Sequence, residues 1–167
     1  MIRAIVVIDE KRGIADNNGI PWAGRIPSDT KYYQKKILGH DVIMGFNLYQ
    51  ELTRPYPNCN NYVVTRQRTE LREGFISIND PYDLILNYKG DLWNIGGSGL
   101  YASTLDLNDE LYITQLSGEY GCTKFFPEIN KKFSLVKESN PITEDKITFT
   151  FQVWKRVEIK TFQSLRN

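Results

Sequence analysis

The chain has 167 residues, of which 41% are apolar and 13% aromatic, so it is long enough and apolar enough for one packed domain over residues 1–167. Its formal net charge of +1, with lysine and arginine spread along the chain, is not the basic balance of a nucleic-acid-binding or membrane-surface protein. No apolar run reaches the length of a transmembrane helix, and the N-terminus does not have the pattern of a signal peptide.

The cysteines and the single histidine predict neither a disulfide nor a zinc site. Cys59 and Cys122 are far apart and lack Cys-x-x-Cys spacing, so we expect free thiols in a reducing cytoplasm. His40 follows Gly39 at a predicted helix end, where a capping or solvated role is expected. We therefore predict no bound metal.

Short apolar runs alternate with amphipathic stretches through most of the chain. In chain order they predict strand 2–8, helix 28–38, strand 41–45, helix 47–52, strands 61–65 and 75–78, helix 80–87, strand 91–95, helical turn 100–103, and strands 111–116, 133–138 and 146–156. Ser28 is the predicted N-cap of the first helix, and Asp80 is the predicted N-cap of the helix that has Pro81 at its first position.

Alternating strands and helices followed by strands alone predict an α/β fold. We expect a mixed, mostly parallel, eight-stranded twisted sheet with helices on both faces and an antiparallel C-terminal hairpin. Ligands of such sheets bind beyond the carboxyl ends of the parallel strands. The predicted strand ends at Ile8, Gly45, Thr65 and Ile95 are therefore where functional residues are expected.

Asp29 is the most informative residue of the chain. It follows the turn-forming segment Gly19-Ile20-Pro21-Trp22 and the pair Ile26-Pro27, and it lies in the first turn of the predicted helix. A carboxylate in this place is either an ordinary partner of the helix dipole or the polar anchor of a small-molecule site.

Two segments at strand ends are suited to phosphate. Ile95-Gly96-Gly97-Ser98-Gly99 follows a strand and begins a helix, so its backbone can approach a ligand closely, although such turns also occur for packing alone. Thr65-Arg66 offers a hydroxyl and a guanidinium, and the alternative is a solvated basic loop.

Taken together, these segments resemble the dihydrofolate reductase family over essentially the whole chain. The matching segments, in the order and spacing of the family, are Met1-Ile2, Gly19-Ile20-Pro21-Trp22, Pro27-Ser28-Asp29 before Tyr32-Tyr33, Val42-Ile43-Met44-Gly45, Arg54-Pro55-Tyr56-Pro57, Ile95-Gly96-Gly97-Ser98-Gly99-Leu100-Tyr101, Leu111-Tyr112-Ile113-Thr114 and Phe125-Phe126-Pro127.

The resemblance implies an oxidoreductase that uses NADPH to reduce 7,8-dihydrofolate to tetrahydrofolate, in one-carbon and thymidylate metabolism. Hydride passes to the pterin ring, and the fold holds the two rings face to face. Asp29 matches the family's ionisable residue in the pterin pocket, and burial is expected to raise its pKa. Thr114 matches the residue that hydrogen-bonds this carboxylate, and Trp22 matches one that holds an ordered water. These three are the implied catalytic residues.

The resemblance also implies binding residues. The substrate would contact Ile5, Val6, Asp29, Tyr33, Leu52, Arg54, Cys59, Ile95, Tyr101 and Thr114. NADPH would contact Val7, Ile14, Ala15, Asn18, Gly19, Ile20, Gly45, Phe46, Asn47, Leu48, Thr65, Arg66, Ile95, Gly96, Gly97, Ser98, Gly99, Leu100 and Tyr101. Loop 15–20 would close over the nicotinamide. The Gly96-Gly97 bond matches a cis peptide of the family.

The chain also departs from the family. Cys59 replaces an arginine that clamps the glutamate tail of folate, and a thiol cannot form that bidentate pair. Phe46 and Leu48 replace a basic residue and a threonine near the cofactor phosphates, and Cys122 replaces an aspartate that steadies a loop. Arg25 belongs to a two-residue insertion, where it reaches an anionic ligand or, in the simpler interpretation, is solvated.

These departures leave two other hypotheses besides a dihydrofolate reductase. One is a reductase of a tail-less pterin or related heterocycle, and the other is a non-catalytic binding or structural protein on the same fold. We expect a cytoplasmic monomer with dihydrofolate as its small-molecule substrate and without nucleic-acid or membrane partners.

Overall fold

The computed structural model describes residues 1–66 and 70–157, so residues 67–69 and 158–167 of the predicted 1–167 domain lie outside this description. The strands are β1 (Ile2–Ile8), β2 (Gly13–Ala15), β3 (Asp41–Gly45), β4 (Asn61–Val64), β5 (Phe75–Ile78), β6 (Leu92–Asn94), β7 (Glu110–Leu116), β8 (Lys124–Phe125), β9 (Phe133–Glu138), β10 (Ile142–Glu144) and β11 (Ile147–Arg156). The helices are α1 (Pro27–Ile37), α2 (Phe46–Glu51), α3 (Pro81–Asn87) and α4 (Ser98–Thr104), with a 3₁₀ turn at Leu105–Leu107.

The main sheet has the order β10-β11-β7-β1-β6-β3-β4-β5. All neighbours from β7 to β5 are parallel, whereas β11 pairs antiparallel with β7, β9 and β10. The predicted mixed α/β sheet with an antiparallel C-terminal end is therefore confirmed.

The sheet contains nine strands rather than the eight that we predict. β10 pairs with the first part of β11, at Ile147–Phe149, and β9 pairs with its second part, at Gln152–Arg156. Both strands pair with the edge of β11 that faces away from β7. The two short strands therefore follow one another along the same edge of β11. The extra strand comes from the length of β11, which spans 10 residues.

Helices cover both faces of the sheet, as predicted. Ile5 of β1 packs in the same cluster as Ile37 of α1 and Tyr49 of α2. On the opposite face, Val6 packs with Tyr101 of α4. Successive strand residues point to opposite faces, so β1 has apolar residues on both sides, as a central parallel strand requires.

The helix starts show one correct and one wrong prediction. Asp80 caps α3, because its side chain accepts a hydrogen bond from the backbone N–H of Tyr82. Ser28 does not cap α1: the helix begins one residue earlier, with Ile26 as N-cap and Pro27 at its first position, and no side chain of Ile26 caps it. Ser28 is instead bonded to a carboxylate from the other end of the chain, described below.

Candidate active site

Four adjacent strands bring the predicted strand ends together. β1, β6, β3 and β4 are consecutive in the sheet and parallel, so their carboxyl ends lie along one edge. α1 packs over one face beside this edge, and α4 begins directly after β6. This edge is the part of the fold where a small molecule is expected to bind.

The edge holds a buried carboxylate. Asp29 is the third residue of α1 and is only 8% exposed. Its Oδ1 accepts a hydrogen bond of 2.6 Å from the Oγ1 of Thr114 in β7, so the predicted contact between the two residues is present. Thr114 pairs with Val7 of β1 in register, which places both on the α1 face of the sheet.

Burial raises the pKa of Asp29 above the usual aspartate value of 3.8. Desolvation is the largest cause, the hydrogen bond from Thr114 opposes it, and the negative charge of Glu144 adds to it. A carboxyl group held in this way accepts a proton more readily than one in water, as an acid–base group needs.

Trp22 lies in the apolar cluster beside Asp29. It is 3% exposed, meets the ring of Tyr120 edge-on at 5.5 Å, and shares its cluster with Ile26, the residue that precedes α1. The segment between Trp22 and Asp29 is therefore anchored at both ends by buried side chains.

The predicted pterin walls fall into two groups. One group forms a single apolar cluster on the α1 face and consists of Ile5, Tyr33, Leu52 and Ile95. The side chains of Val6 and Tyr101 lie on the other face of the sheet and are not brought together with this group. Tyr101 contacts the site through the backbone of β1 from the opposite face of the sheet: its hydroxyl donates a 2.5 Å hydrogen bond to the backbone oxygen of Ile5.

The two residues predicted at the outer rim differ in burial. Arg54 is exposed, whereas Cys59 is half-buried and its thiol donates to the backbone oxygen of Tyr56 at 3.5 Å. Burial raises the pKa of the Cys59 thiol, so this group is neutral at pH 7. Asn61 holds the same loop, accepting from the Tyr56 N–H at 2.9 Å and donating to the Tyr56 oxygen at 2.9 Å.

The glycine turn after β6 packs tightly on α4. Gly96 has a φ of +92°, and a Cβ at this position would lie 2.5 Å from the ring of Tyr101, so only glycine fits. The Gly96-Gly97 peptide bond is cis, as the resemblance implies. The Gly96 oxygen accepts a 2.7 Å hydrogen bond from the N–H of Gly45, which joins this turn to the end of β3.

A fully buried polar side chain organises this turn and was not predicted. Asn94 of β6 accepts from the Gly96 N–H at 3.0 Å and donates to the Oγ1 of Thr104 at 2.9 Å. Thr104 in turn donates to the Leu100 oxygen at 2.5 Å. An isolated Asn at the end of an apolar strand carries no sequence signal for this role, because its partners lie in the following turn and helix.

A cavity of about 410 Å³ opens beside the glycine turn. It is lined by Gly45, Val64, Arg66, Asn79, Asp80, Pro81, Tyr82, Gly99, Leu100 and Ser103. Gly45, Arg66, Gly99 and Leu100 among these are predicted cofactor-binding residues. Thr65, also predicted, is 8% exposed, and its N–H donates to the Ile78 oxygen at 2.9 Å.

Most of the remaining predicted cofactor residues lie on two segments, apart from Val7 of β1 and Ser98 at the start of α4. Phe46, Asn47 and Leu48 form the first turn of α2, where Asn47 is exposed. The other segment contains Ile14 and Ala15 of β2 and continues through Asn18, Gly19 and the 49%-exposed Ile20. β2 pairs with β8, and Asp16 pairs with Gly19 in an isolated bridge, so this loop is a narrow hairpin.

A second buried carboxylate, Asp9, has a role that the sequence pattern does not indicate. It is 2% exposed and follows β1, where it accepts hydrogen bonds from the N–H groups of Gly13, Lys11 and Tyr120 at 2.7, 2.9 and 3.0 Å. Cys122 packs beside it, and burial with the adjacent Asp9 charge raises the pKa of this thiol to about 11. Asp9 thus joins the loop before β2 to the segment before β8.

Both cysteines are free, as predicted. Within residues 1–66 and 70–157, no group of three or more His, Cys, Asp or Glu side chains is placed to hold a metal ion. In the same part of the chain, the helices are all too short or too polar to cross a bilayer.

The fold and this edge define an α/β enzyme-like protein with a buried carboxylate on one side of a glycine turn and an open cavity on the other. Residues 1–156 match the family model described as dihydrofolate reductase, and the chain belongs to the dihydrofolate reductase family. Its curated relatives include dihydrofolate reductases of Bacillus subtilis, 29% identical with 91% of each chain covered, and of Staphylococcus haemolyticus, 30% identical with 93% of this chain and 96% of the relative covered.

The fold is also that of a solved structure described as dihydrofolate reductase from Enterococcus faecalis complexed with NADP(H) and RAB-propyl. The TM-score is 0.82 at 24% identity, with 93% of this chain and 96% of the other covered. The expected fold family is therefore confirmed.

Proposed function

We propose that this protein reduces 7,8-dihydrofolate to tetrahydrofolate with NADPH as the hydride donor. The observation that carries the proposal is the buried Asp29 carboxyl, hydrogen-bonded to Thr114 beside the apolar cluster of Ile5 and Tyr33. The structural carboxylate Asp9 is satisfied by three backbone N–H groups, whereas the described residues give the Asp29 carboxyl group one hydrogen bond, from Thr114, so Asp29 keeps acceptor capacity for a ligand.

The residues around the glycine turn fit a dinucleotide. A Cβ added at Gly97 or Gly99 would meet nothing within 4 Å, so this backbone faces open space that a phosphate-bearing ligand can enter. Arg66 lies on the wall of the same cavity and supplies a positive charge suited to a phosphate of NADPH. When bound, NADPH supplies the hydride.

Asp29 is the proposed anchor for the pterin. Its free Oδ2 and its shared Oδ1 can accept hydrogen bonds from the amino group and a ring nitrogen of the substrate, while Thr114 fixes the plane of the carboxyl group. The apolar side chains of Ile5, Leu52 and Ile95 exclude water from the ring. This arrangement orients the pterin, and orientation is the main contribution that the protein makes to hydride transfer.

The pH dependence follows from the raised pKa of Asp29. Because reduction of the ring also consumes a proton, the protonated form of the Asp29–substrate unit is the productive one. We expect kcat to be highest at low pH and to fall as the pH rises through the raised pKa of this carboxyl group.

A second candidate function follows from Cys59. Its neutral thiol stands where the family places a guanidinium, so the chain lacks that charge for a folate tail. A reductase of a tail-less pterin would use the same Asp29 and the same cofactor site.

The first experiment measures the loss of NADPH absorbance with purified protein and dihydrofolate, and repeats it with a tail-less dihydropterin. A clear preference for dihydrofolate supports the first function, and equal rates support the second. With either substrate, Asp29→Asn should reduce kcat by roughly a hundredfold or more at neutral pH while the circular dichroism spectrum stays unchanged. Rapid turnover by this variant would remove the role proposed for Asp29.

The remaining roles are part of the same proposal. Trp22 would hold an ordered water beside Asp29, and loop 15–20 would close over the nicotinamide. We also propose one domain and a monomer, which light scattering tests. The two free thiols support a reducing, cytoplasmic location.

A further inference from the structure

The helix that carries Asp29 has no cap of its own. Pro27 has no N–H, and the N–H groups of Asp29 and Thr30 both donate to the oxygen of Ile26, at 3.1 and 3.2 Å. These local bonds leave one donor of the first turn, the N–H of Ser28, without an acceptor inside the helix. Such a donor at a helix end needs a partner from elsewhere.

Glu144 supplies that partner from the C-terminal hairpin. Its Oε1 accepts from the Ser28 N–H at 2.9 Å, and its Oε2 accepts from the Ser28 Oγ at 2.8 Å. The two residues are 116 positions apart in sequence. One carboxylate thus binds the residue directly before Asp29 through two hydrogen bonds.

The hairpin is built to hold Glu144 in this place. Glu144 ends β10 and pairs with Ile147 of β11 across the turn Asp145-Lys146, where both residues have positive φ, 43° and 63°, as a two-residue hairpin turn requires. Ile147 is 1% exposed and packs in the cluster that contains Trp22.

A second contact joins the same two segments. The Nε of Arg25 donates to the Oδ2 of Asp145 at 2.7 Å, and its Nη2 donates to the Asp145 oxygen at 3.1 Å. Arg25 is therefore neither a free anion-binding group nor a purely solvated side chain. Both members of this pair are well exposed, so it contributes little stability and mainly aligns the hairpin tip.

We propose that Glu144 is a positioning residue of the active site, which acts through Ser28 to fix the direction of the Asp29 carboxyl group. The inference rests on the proposed function, because it assigns Glu144 to the same reaction. Asp29 does not touch Glu144 through a hydrogen bond, so Glu144 acts on it through helix geometry and through charge.

The negative charge of Glu144 shifts the pKa of Asp29 upward. Three neighbouring groups influence the titration of Asp29 or respond to it: Thr114 of β7, Tyr32 of α1 and Glu144 of β10. The hydroxyl of Thr114 favours the ionised form of Asp29, whereas the negative charge of Glu144 favours the protonated form. Tyr32 stays neutral, since burial and the Asp29 charge raise its pKa to about 12.

The test compares Glu144→Gln with Asp145→Asn, which remove one negative charge each from adjacent positions. Glutamine keeps an acceptor for the Ser28 N–H and an amide donor for its hydroxyl, so the cap remains and only the charge is lost. Titration of the Asp29 carboxyl carbon by NMR, in the protein without substrate, should show a midpoint at lower pH in Glu144→Gln and an unchanged midpoint in Asp145→Asn.

The same two variants are then assayed for kcat against pH. The falling limb should move to lower pH in Glu144→Gln alone, with little change in the KM for NADPH. An unchanged Asp29 midpoint in Glu144→Gln, or an equal shift in both variants, would overturn the proposal. Because the NMR titration needs no turnover, failure of the reductase assay is distinguishable from failure of this inference.

The positioning role of Glu144 is tested by removing the carboxylate that caps α1. Glu144→Ala should lower kcat by roughly tenfold or more, because small displacements of a reacting group are costly. Glu144→Asp should restore part of that loss, since its carboxylate can still reach Ser28. Equal kcat in the alanine variant and the wild type would contradict the positioning role, and Glu144→Gln remains informative if the alanine variant does not fold.

Discussion

At the scale of single residues, two neighbours shift the pKa of Asp29 in opposite directions. Thr114 donates a hydrogen bond to the carboxylate and lowers its pKa, while burial and Glu144 raise it. The net result is a raised pKa, which means that the folded protein binds this proton more tightly than the unfolded chain does. The stability contributed by this carboxyl group is therefore fully present below about pH 3.8 and is lost as the pH rises through the folded-state pKa.

Thr114→Val should move the Asp29 midpoint to higher pH, the opposite of Glu144→Gln. Valine has nearly the same shape as threonine but leaves the buried carboxylate without its hydrogen bond. We expect the free energy of unfolding to fall by about 1.5–3 kcal/mol once Asp29 is ionised, and by less at acidic pH. Urea denaturation at several pH values measures this difference.

The control for this variant is Thr114→Ser, which keeps the hydroxyl and removes only a methyl group. It should retain the wild-type Asp29 midpoint. If serine and valine shift the midpoint equally, packing rather than the hydrogen bond sets the pKa.

Residues with local signals were predictable, and residues with distant partners were not. Asp29 and Trp22 stand out because turn residues and a helix start surround them in sequence. Glu144 and Asn94 have no such setting: the partner of Glu144 is 116 residues away, and Asn94 lies at the end of an apolar strand. The role of Glu144 depends on which strands become neighbours, and the role of Asn94 depends on how the turn after β6 leads into α4. Periodicity specifies neither.

At the scale of elements, the two helix starts illustrate the same limit. Asp80 caps α3 through a local contact: its side chain accepts from an N–H only two residues away, and this hydrogen bond does not depend on the rest of the fold. Ser28 has the composition of a cap, but a carboxylate delivered by β10 competes for its hydroxyl and its N–H. A tertiary contact has replaced the local one.

Asp9 fixes the connection between β1 and the loop that is expected to close over the cofactor. Asp9→Asn should lower the free energy of unfolding by about 2 kcal/mol, because an amide keeps one acceptor oxygen while its NH₂ group faces an N–H donor. We also expect a higher KM for NADPH, since loop 15–20 follows this connection directly. Denaturation and steady-state kinetics measure the two effects.

The matched control is Glu119→Gln in the segment that Asp9 holds. Glu119 forms an exposed ion pair with Lys11 at 3.3 Å, so its loss should change the free energy of unfolding by about 0.5 kcal/mol or less. Similar losses in both variants would mean that charge, and not the three backbone hydrogen bonds, accounts for the effect at Asp9.

At the scale of the whole molecule, the order of strands explains why one edge carries most of the predicted ligand-binding segments. The segment with Arg54 and Cys59 precedes β4 and therefore lies toward the amino ends of the strands. β1 and β6 are adjacent in the middle of the sheet, with β7 on one side and β3 and β4 on the other. Thr114 therefore reaches the carboxylate of α1 from one side, and the glycine turn meets Gly45 on the other. The sequence predicts eight strands and their class, but not the short strands β2, β8 and β10. The ninth strand of the main sheet depends on two short segments sharing an edge of β11, which alternation alone does not predict.

The cavity at the far side of the glycine turn leads to a prediction about the intact protein. NADPH at about 100 times its Kd should stabilise the folded state by about 2.7 kcal/mol, which raises Tm by about 5–10 °C for a chain of this size. NADH at the same concentration should give a smaller rise, because it lacks the 2′-phosphate that Arg66 can bind at the cavity wall. Arg66→Ala should reduce the NADPH shift to that of NADH, whereas Lys89→Ala, which removes an exposed charge outside the cavity lining, should leave both shifts unchanged. If Arg66→Ala still distinguishes the two dinucleotides, the phosphate is bound elsewhere, because a lost charge-assisted hydrogen bond of about 1.5–3 kcal/mol would be visible in this measurement.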